Sequence, residues 1–472
     1  MLSNTRRLVY VPAVNNRSVM LSLILGFVFP LLWVKHESDQ TGVVLLIILL
    51  IIQLLPFTYC ALRHKFNFLS FIFLIRGLSS TTARLVAAYT ETDFVALTSW
   101  EMLAVEQEIV CSLITIGAYQ VARALAFRTF FEEARYELLS MTSRQMIFVA
   151  AYVFAVPITI QFLPAAFLVI HFAFAAADTV LLFTGTVRNN EKLAKLMRFL
   201  VFISGFWYFL QVGMLTMVGQ FITYSFVTMC LRRQYKRLPS MLLIALLIIL
   251  TQSVKHHYRL AIRSDVVLSP VEKVALFGDL LYRRYIENDL ENIEENEDDR
   301  VAEGLTEGFS RVGDPSLPRV LEMTPQIVPY WGGETYQSIP YMFLPRFLYP
   351  DKPTRHFWNK FGRVYGFLSS DDFQTSMAVN FLAEGYMNFG YTGMYSVALL
   401  MGLLIVGMEW MSYFILRGHF LFTFCVFLLP FLTLAQDLGS ILMSLTILTC
   451  VLLAARPLFL KMAKRDAYGT FY

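Results

Sequence analysis

Long apolar runs separated by short basic segments dominate the chain. A transmembrane helix needs about 20 mostly apolar residues. Single runs of roughly this length predict spans at residues 19–34, 43–62, 66–89, 109–127, 240–254, 394–416, 420–434 and 438–455. Two longer runs, residues 145–185 and 199–231, are each interpreted as a helical hairpin, and for the second a single long span stays open. The pattern predicts an all-α polytopic membrane protein with about 12 transmembrane helices.

The distribution of basic residues predicts the orientation of these helices. Lys and Arg accumulate in the short loops on the cytoplasmic side of a membrane. Here every strongly basic short loop falls on one side, which places both termini in the cytoplasm. Residues 255–393 then form one long extracytoplasmic loop domain with short helices. It separates an N-terminal bundle of about nine helices, residues 1–254, from about three C-terminal helices and a cytoplasmic tail, residues 394–472.

Composition also indicates a membrane protein, and it argues against a soluble domain, a disulfide-rich domain and a zinc site. The chain has 57% hydrophobic and only 16% charged residues, whereas a soluble domain has about 25% charged residues. The five cysteines lie in or beside apolar runs, so their positions suggest neither a disulfide framework nor a zinc site. We therefore expect no metal or other cofactor and no nucleic-acid partner.

The long loop has a composition of its own. Eight of the chain's 17 prolines lie between Pro315 and Pro353, and proline cannot continue a lipid-facing helix because it lacks a backbone donor. Ser269-Pro270-Val271-Glu272 predicts a helix that begins with a capping box. Residues 287–299 contain eight acids and no base, which is typical of a solvated segment.

Basic residues are concentrated in the second half of this loop. Seven bases and four acids lie between Arg311 and Arg363. Arginine can pair with two phosphate oxygens at once, so Arg311, Arg346 and Lys352 indicate an anion site, with ion pairing to local acids as the alternative. Arg259 lies on a second basic stripe, which could equally reach lipid headgroups.

Two further groups could carry chemistry. Trp331-Gly332-Gly333-Glu334-Thr335-Tyr336 combines aromatic rings with a carboxylate, as sugar-binding clefts do, although an interfacial aromatic turn has the same composition. Asn380, Glu384 and Asn388 are spaced by four, so they share one helix face. Glu384 could accept a proton from a hydroxyl or brace a loop arginine, with Glu334 as the second candidate for the proton.

Two arginines fall inside the predicted span at residues 66–89. Charged residues within a membrane are costly and usually face a partner or a cavity. Arg76 and Arg84 could therefore line a route for a phosphate, or form ion pairs with Glu101 or Glu106.

Several short motifs occur in a fixed order through the second half of the loop. They are Thr324-Pro325, Pro329–Tyr336, Pro345–Pro353, Phe361-Gly362, Tyr365-Gly366, Glu384-Gly385-Tyr386, Asn388-Phe389-Gly390 and Gly393. Together, in an outer loop before the last spans, they resemble the O-antigen polymerases (Wzy-type) that polymerise oligosaccharide repeat units. These in turn resemble the metal-independent membrane glycosyltransferases that use polyprenyl donors.

The resemblance implies a function in polysaccharide synthesis. Such proteins act in the bacterial cytoplasmic (inner) membrane, where the long loop faces the periplasm or the exterior. They move a growing glycan from polyprenyl diphosphate to a hydroxyl of the next lipid-linked unit, and a chain-length regulator and a flippase are expected partners besides membrane lipid. Arg311, Arg346, Lys352 and Arg259 would then bind the diphosphate, Trp331, Tyr336 and Asn388 the glycan, and Glu384 or Glu334 would be the base.

Two other functions stay open from the sequence. One is an O-antigen-ligase-like transferase, which would use the same chemistry on a different acceptor. The other is a transporter or flippase of lipid-linked sugars, which should have internal repeats and broken helices near mid-membrane.

Overall fold

The structure is a computed structural model. It covers residues 40–63, 68–82, 84–85, 98–126, 238–263, 268–287, 315–342, 357–373, 375–415, 437–450 and 453, with single positions between 199 and 229. The described residues form helices and their connections and include no strand. The predicted spans at residues 19–34, 145–185 and 420–434, most of the run at 199–231, and the acidic segment from residue 288 onward lie outside the described residues.

The helices are numbered here in chain order. They are α1 (Gln40–Arg63), α2 (Phe68–Arg76), α3 (Ser99–Ala126), α4 (Leu238–Arg263), α5 (Pro270–Tyr282), α6 (Ser316–Met323), α7 (Glu334–Gln337), α8 (Ile339–Met342), α9 (Phe357–Val364), α10 (Phe381–Ile415) and α11 (Leu438–Cys450). A π-helical turn, Gly77–Thr81, follows α2, and another, Arg283–Glu287, follows α5.

Three of the described helices have the length and apolar composition to cross a membrane. These segments are Gly42–Leu62 in α1, Ser99–Leu125 in α3 and Phe381–Met411 in α10. They are what a helical membrane protein requires, and they overlap the spans predicted at residues 43–62, 109–127 and 394–416. Helix α3 begins earlier than predicted, because Thr98 and Glu101 form a capping pair at its first turn.

Helices α3 and α10 form the centre of the described bundle and run in the same direction. Tyr395 Oη donates to Gln107 Oε1 near the start of both helices, at 2.7 Å. Further along, Thr115 Oγ1 donates to the carbonyl of Ala398 at 2.9 Å. A Cβ on Gly402 would lie 2.6 Å from Thr115 O, so this glycine lets the two backbones approach closely, as small residues do at membrane helix crossings.

Helix α10 is broken near its start and turns back on itself. Phe389 and Gly390 have non-helical dihedral angles, and Gly390 has φ +63°. A Cβ on Gly385 would lie 2.9 Å from Gly393 O, and a Cβ on Gly393 would touch Gly385 O. In a straight helix, residues eight apart are separated by about 12 Å. The first arm (residues 381–388) therefore folds against the second arm (residues 391–415), and all its residues are buried.

A buried carboxylate ties the other end of α10 to its neighbours. Glu409 Oε1 accepts from Phe68 N–H at 2.9 Å and from Tyr119 Oη at 2.8 Å. Arg123 Nε lies 3.6 Å from Glu409 Oε2. The first backbone donor of α2 has no partner within its own helix, so Glu409 satisfies it from α10 and fixes α2 and α3 to the same point.

Helix α5 begins as its sequence predicts. Ser269 Oγ accepts from Glu272 N–H, and Glu272 Oε2 accepts from Ser269 N–H at 2.7 Å, which confirms the capping box. On its inner side Phe277 packs against Tyr258 of α4 and Phe209, with ring centroids 5.4 Å and 5.1 Å apart. This small aromatic cluster joins α5 to α4. Helix α4 itself continues to Arg263, beyond the domain boundary predicted at residue 254.

The contact between Gly385 and Gly393 predicts a position-specific response to alanine. Gly393→Ala places a methyl group against Gly385 O, and overpacking of this kind costs about 1–3 kcal/mol. Gly407→Ala is the matched control in the same helix, because nothing lies within 4 Å of its Cβ position. It should be neutral or stabilise by up to about 1 kcal/mol. Equal unfolding free energies for both variants in detergent would contradict the folded-back arm.

Candidate functional site

The Trp331–Tyr336 segment meets the end of the first arm of α10. Trp331 N–H donates to Met387 O at 2.9 Å, and Gly332 N–H donates to Asn388 O at 3.2 Å. The last carbonyls of a helix have no intrahelical partner, and the break after Asn388 creates such an end. The loop segment therefore caps the first arm, and two motif segments whose paired residues are 56 positions apart in the sequence form one structure.

The contact between residues 331–336 and the end of the first arm is called the junction here. The side chain of Asn388 stabilises it. Its Oδ1 accepts from Gly333 N–H at 3.0 Å, and its Nδ2 donates to Thr335 Oγ1 at 2.9 Å and to Glu384 O at 2.8 Å. The predicted helix face is confirmed, since Glu384 N–H also donates to Asn380 O. Two of these side-chain hydrogen bonds go to the loop, at Gly333 and Thr335, and the third goes to Glu384 on the arm. Asn388 therefore holds the loop on the arm.

Glu384 is completely buried beside the start of the last described helix. Its Oε2 accepts from Leu438 N–H, the first donor of α11, at 2.8 Å. Asp437, also completely buried, accepts from Ser440 N–H at 3.0 Å in the same first turn. The positive end of a helix dipole stabilises carboxylates by about 0.3–1 kcal/mol. Glu384 and Asp437 thus both accept hydrogen bonds from backbone donors in the first turn of α11.

Asp437 was not among the residues selected from the sequence. It precedes the apolar run at Leu438, and an Asp immediately before an apolar helix is a typical N-cap signal. That signal was present, but it indicates only a helix start. The proximity to Glu384 depends on tertiary packing.

Tyr336 brings a phenol to the same region. Its ring stacks on Phe389, with centroids 6.1 Å apart, directly beside the helix break. Its hydroxyl is buried and, within the described part of the chain, makes no hydrogen bond. Burial, and next the nearby charge of Glu384, raise the pKa of Tyr336 above its ordinary value. Tyr336 therefore stays a neutral donor within electrostatic range of the Glu384 carboxylate.

Glu334 has a different environment from Glu384. Both its carboxylate oxygens lie 2.7 Å from Lys360 Nζ of α9, and the two side chains are about half exposed. Lys360 Nζ also lies 4.6 Å from the centroid of the Trp331 ring. Such an exposed ion pair contributes up to about 1 kcal/mol. Glu334 and Trp331 are thus both held by Lys360, on the outside of the junction.

The other two described bases between Arg311 and Arg363 also contact groups of the chain itself. Arg319 Nε donates to Tyr365 O at 2.9 Å, and its Nη1 lies 2.7 Å from Glu322 Oε2. Arg363 Nε donates to Asn359 Oδ1, and its guanidinium lies 4.1 Å from the centroid of the Phe373 ring. Arg319 thus forms the ion pair with a local acid that was the alternative to anion binding. The predicted anion-binding residues Arg311, Arg346 and Lys352 lie outside the described residues.

Arg259 belongs to another part of the protein. It follows Tyr258 on α4, in the cluster that holds α5 rather than in the core around Glu384. A Cβ on Gly213 would lie 2.5 Å from Arg259 Cγ, so the alkyl part of the arginine packs on this backbone. The structure thus does not bring Arg259 together with Glu384, Asn388 and Tyr336.

Other motif residues build the support of the junction. Thr324 Oγ1 and Tyr365 Oη are 2.7 Å apart and share a hydrogen bond, and Tyr386 Oη donates to Thr324 O at 3.5 Å. Tyr330 packs edge-to-face on Tyr386, at 6.2 Å between centroids. The described motif residues Thr324, Tyr330 and Tyr365 therefore support the first arm of α10 through Tyr386, whereas the motif Pro345–Pro353 lies outside the described residues.

Comparisons with known protein families, with curated proteins and with solved structures found no match to this chain. The described contacts therefore supply the physical basis for a functional proposal.

The junction predicts a strong dependence on Asn388. Asn388→Ala removes three hydrogen bonds and leaves buried donors such as Gly333 N–H without a partner, which costs about 1–3 kcal/mol for each such group. We expect a lower unfolding temperature in detergent and faster amide hydrogen exchange over residues 331–336. Gln337→Ala, a change to an exposed amide in the same loop, is the control. Unchanged exchange in Asn388→Ala would contradict the capping role of the loop.

Proposed function

We propose that this protein is a membrane glycosyltransferase that polymerises oligosaccharide repeat units carried on polyprenyl diphosphate. The proposal includes about 12 spans and places the long loop, with residues 315–373, at the outer face of a bacterial inner membrane. The observation that carries it is the contact between the described motif segment at residues 331–336 and the arm that holds one buried carboxylate, Glu384, which accepts from Leu438 N–H of α11. The resemblance of those motifs to the polymerases supplies the substrate class.

The proposed reaction exchanges one bond to the anomeric carbon for another. The acceptor hydroxyl attacks the anomeric carbon of the donor glycan, and the bond from that carbon to the diphosphate oxygen breaks. Polyprenyl diphosphate leaves with the electron pair, and the proton of the hydroxyl passes to a base. Glu384 is our assignment for the base, because a carboxylate positioned by fixed donors can accept a proton from a bound hydroxyl.

The surroundings of Glu384 support this assignment in two ways. Leu438 N–H fixes one carboxylate oxygen, so the orientation of the group is set before a substrate arrives. Tyr336 supplies a neutral phenol nearby, which suits a hydrogen bond to a sugar oxygen. Since Glu384 has no exposed surface, we propose that the acceptor displaces the loop segment at residues 331–336. Gly332 and Gly333, both with positive φ, form the turn of that segment.

A transporter of lipid-linked sugars is the second candidate, and the break in α10 favours it. Transporters place discontinuous helices with charged or polar groups at their substrate sites. The break at Phe389–Gly390 lies beside the buried Glu384, which fits that description. The polymerase ranks first because the broken arm is capped by a motif-rich loop rather than by a second broken helix within the described residues.

An elongation assay separates the two candidates. Purified protein in liposomes receives lipid-diphosphate repeat units, and the glycan products are resolved by length. We expect longer chains, and Glu384→Gln should lower their rate by about 100-fold or more, because general-base catalysis contributes about 10²–10⁴-fold. Glu322→Gln, which removes an exposed ion pair with Arg319, is the control and should elongate normally.

Each alternative outcome of this assay has a definite meaning. Lipid-linked units that cross the bilayer without a new glycosidic bond would replace the polymerase by the transporter. Loss of elongation in Glu334→Gln but not in Glu384→Gln would move the base to Glu334. Single transfers to a different acceptor, without growth of the chain, would indicate a ligase-like enzyme.

A further inference from the structure

Helix α5 has an exposed apolar side. Val271 is 77% exposed, Val274 43% and Tyr282 48%. Gly278 is exposed as well, and among the described residues no atom lies within 4 Å of its Cβ position. The four positions follow one another at spacings of three, four and four residues, so they lie on one face of the helix. This face is called the outer face of α5 here.

The opposite side of α5 holds the helix on the protein. Phe277 and Leu280 are buried in the cluster that contains Tyr258 of α4. Lys273 Nζ donates to Gln211 O at 3.3 Å, so this base also points towards the protein. Because the buried residues and the outer face lie on roughly opposite sides of the helix, the outer face points away from the cluster that holds α5.

Three charged residues share another side of α5. Glu272 and Asp279, together with Arg283 at the end of the helix, are exposed and are seven and four residues apart. Arg283 Nε lies 2.9 Å from Asp279 Oδ2. This charged face is about a third of a turn away from the outer face. A helix with one side on the protein, one charged side and one apolar side suits a boundary between water and lipid.

The contact with α4 gives the level of α5 relative to a bilayer. The span predicted in α4 ends at residue 254, and the bases Lys255 and Arg259 follow it. Phe277 meets Tyr258 at 5.4 Å between ring centroids, which is four residues, or about 6 Å of helix, beyond that end. The headgroup regions add about 5–7 Å to each side of the hydrocarbon core. On this topology, the middle of α5 lies at the depth of the headgroups.

We propose that the outer face of α5 is a membrane-binding surface that inserts into the interface of the lipid bilayer. The proposal goes beyond glycosyl transfer and rests on the span predicted in α4 rather than on any reaction. Val271 and Val274 bury apolar area among the lipid chains, and Tyr282 has the amphipathic ring that is typical of the interface. The charged face meanwhile stays in water. Helix α5 thereby anchors the start of the long loop at the membrane surface.

A depth measurement tests this surface in the full-length protein. A fluorescent amino acid whose emission depends on polarity replaces Val274 or, as the matched control, Asp279, and each variant is placed in phosphatidylcholine nanodiscs. The two sites are similarly exposed, 43% for Val274 and 46% for the side chain of Asp279. We expect the emission at Val274 to shift to shorter wavelength and to be quenched by lipid with brominated acyl chains. The probe at Asp279 should keep the emission of a hydrated group and lose little intensity.

Three results would overturn the proposal, each for a different reason. Equal quenching at Val274 and Asp279 would refute the division of α5 into a lipid side and a water side. A probe at Val274 that is shielded from water but not quenched would show that protein, from another segment or a second copy, covers the outer face. A hydrated, unquenched probe at Val274 would place α5 outside the membrane.

A second probe position keeps the measurement independent of one substitution. The same amino acid at Val271, which is more exposed than Val274, should give the same shift and quenching. Since no readout needs a glycan substrate, failure of the membrane-binding surface is distinguished from failure of the proposed function.

Discussion

A break in a buried helix leaves backbone carbonyls without intrahelical partners, and the rest of the protein must satisfy them. The break at Phe389–Gly390 is the place where this constraint shapes the described structure. The loop amides of Trp331 and Gly332 reach the open carbonyls of the first arm, and Asn388 fastens the loop from the other side. The position of the loop and the burial of Glu384 both follow from this reversal.

A buried glutamate near each end of α10 accepts a hydrogen bond from the start of a neighbouring helix. Glu384 accepts from the first backbone donor of α11, and Glu409 accepts from the first backbone donor of α2. Each carboxylate thus accepts from a first backbone donor that has no partner within its own helix, and each is stabilised by that helix N-terminus in return. Glu409 is additionally held by Tyr119 and Arg123, whereas Glu384 lies beside Tyr336 and the loop. The difference in surroundings is why we assign chemistry to Glu384 and a packing role to Glu409.

Local patterns in the sequence predicted the three described helices of membrane-spanning length and the capped start of α5. The capping box at Ser269 and the shared face of Asn380, Glu384 and Asn388 depend only on residues within one or two turns, and both predictions are confirmed. The partners of charged groups could not be obtained in this way. Arg84 pairs with Glu108 rather than with the predicted Glu101 or Glu106, and Glu334 pairs with Lys360. These pairings depend on how distant segments pack. The reversal of α10 was missed for the same reason: Gly385 and Gly393 were visible as motif residues, but their mutual contact is tertiary.

The central claim is that the loop at residues 331–336 lies on the break in α10. Phe389 is half exposed, and its ring lies against Gly333 and Tyr336, so a smaller diazirine-bearing amino acid can replace it as a photoreactive probe without displacing the loop. We propose to irradiate that variant in membranes and to map the cross-linked peptides by mass spectrometry. The account predicts cross-links to the peptide containing Gly333 and Tyr336. Cross-links to lipid or to other helices, with none in that peptide, would contradict it.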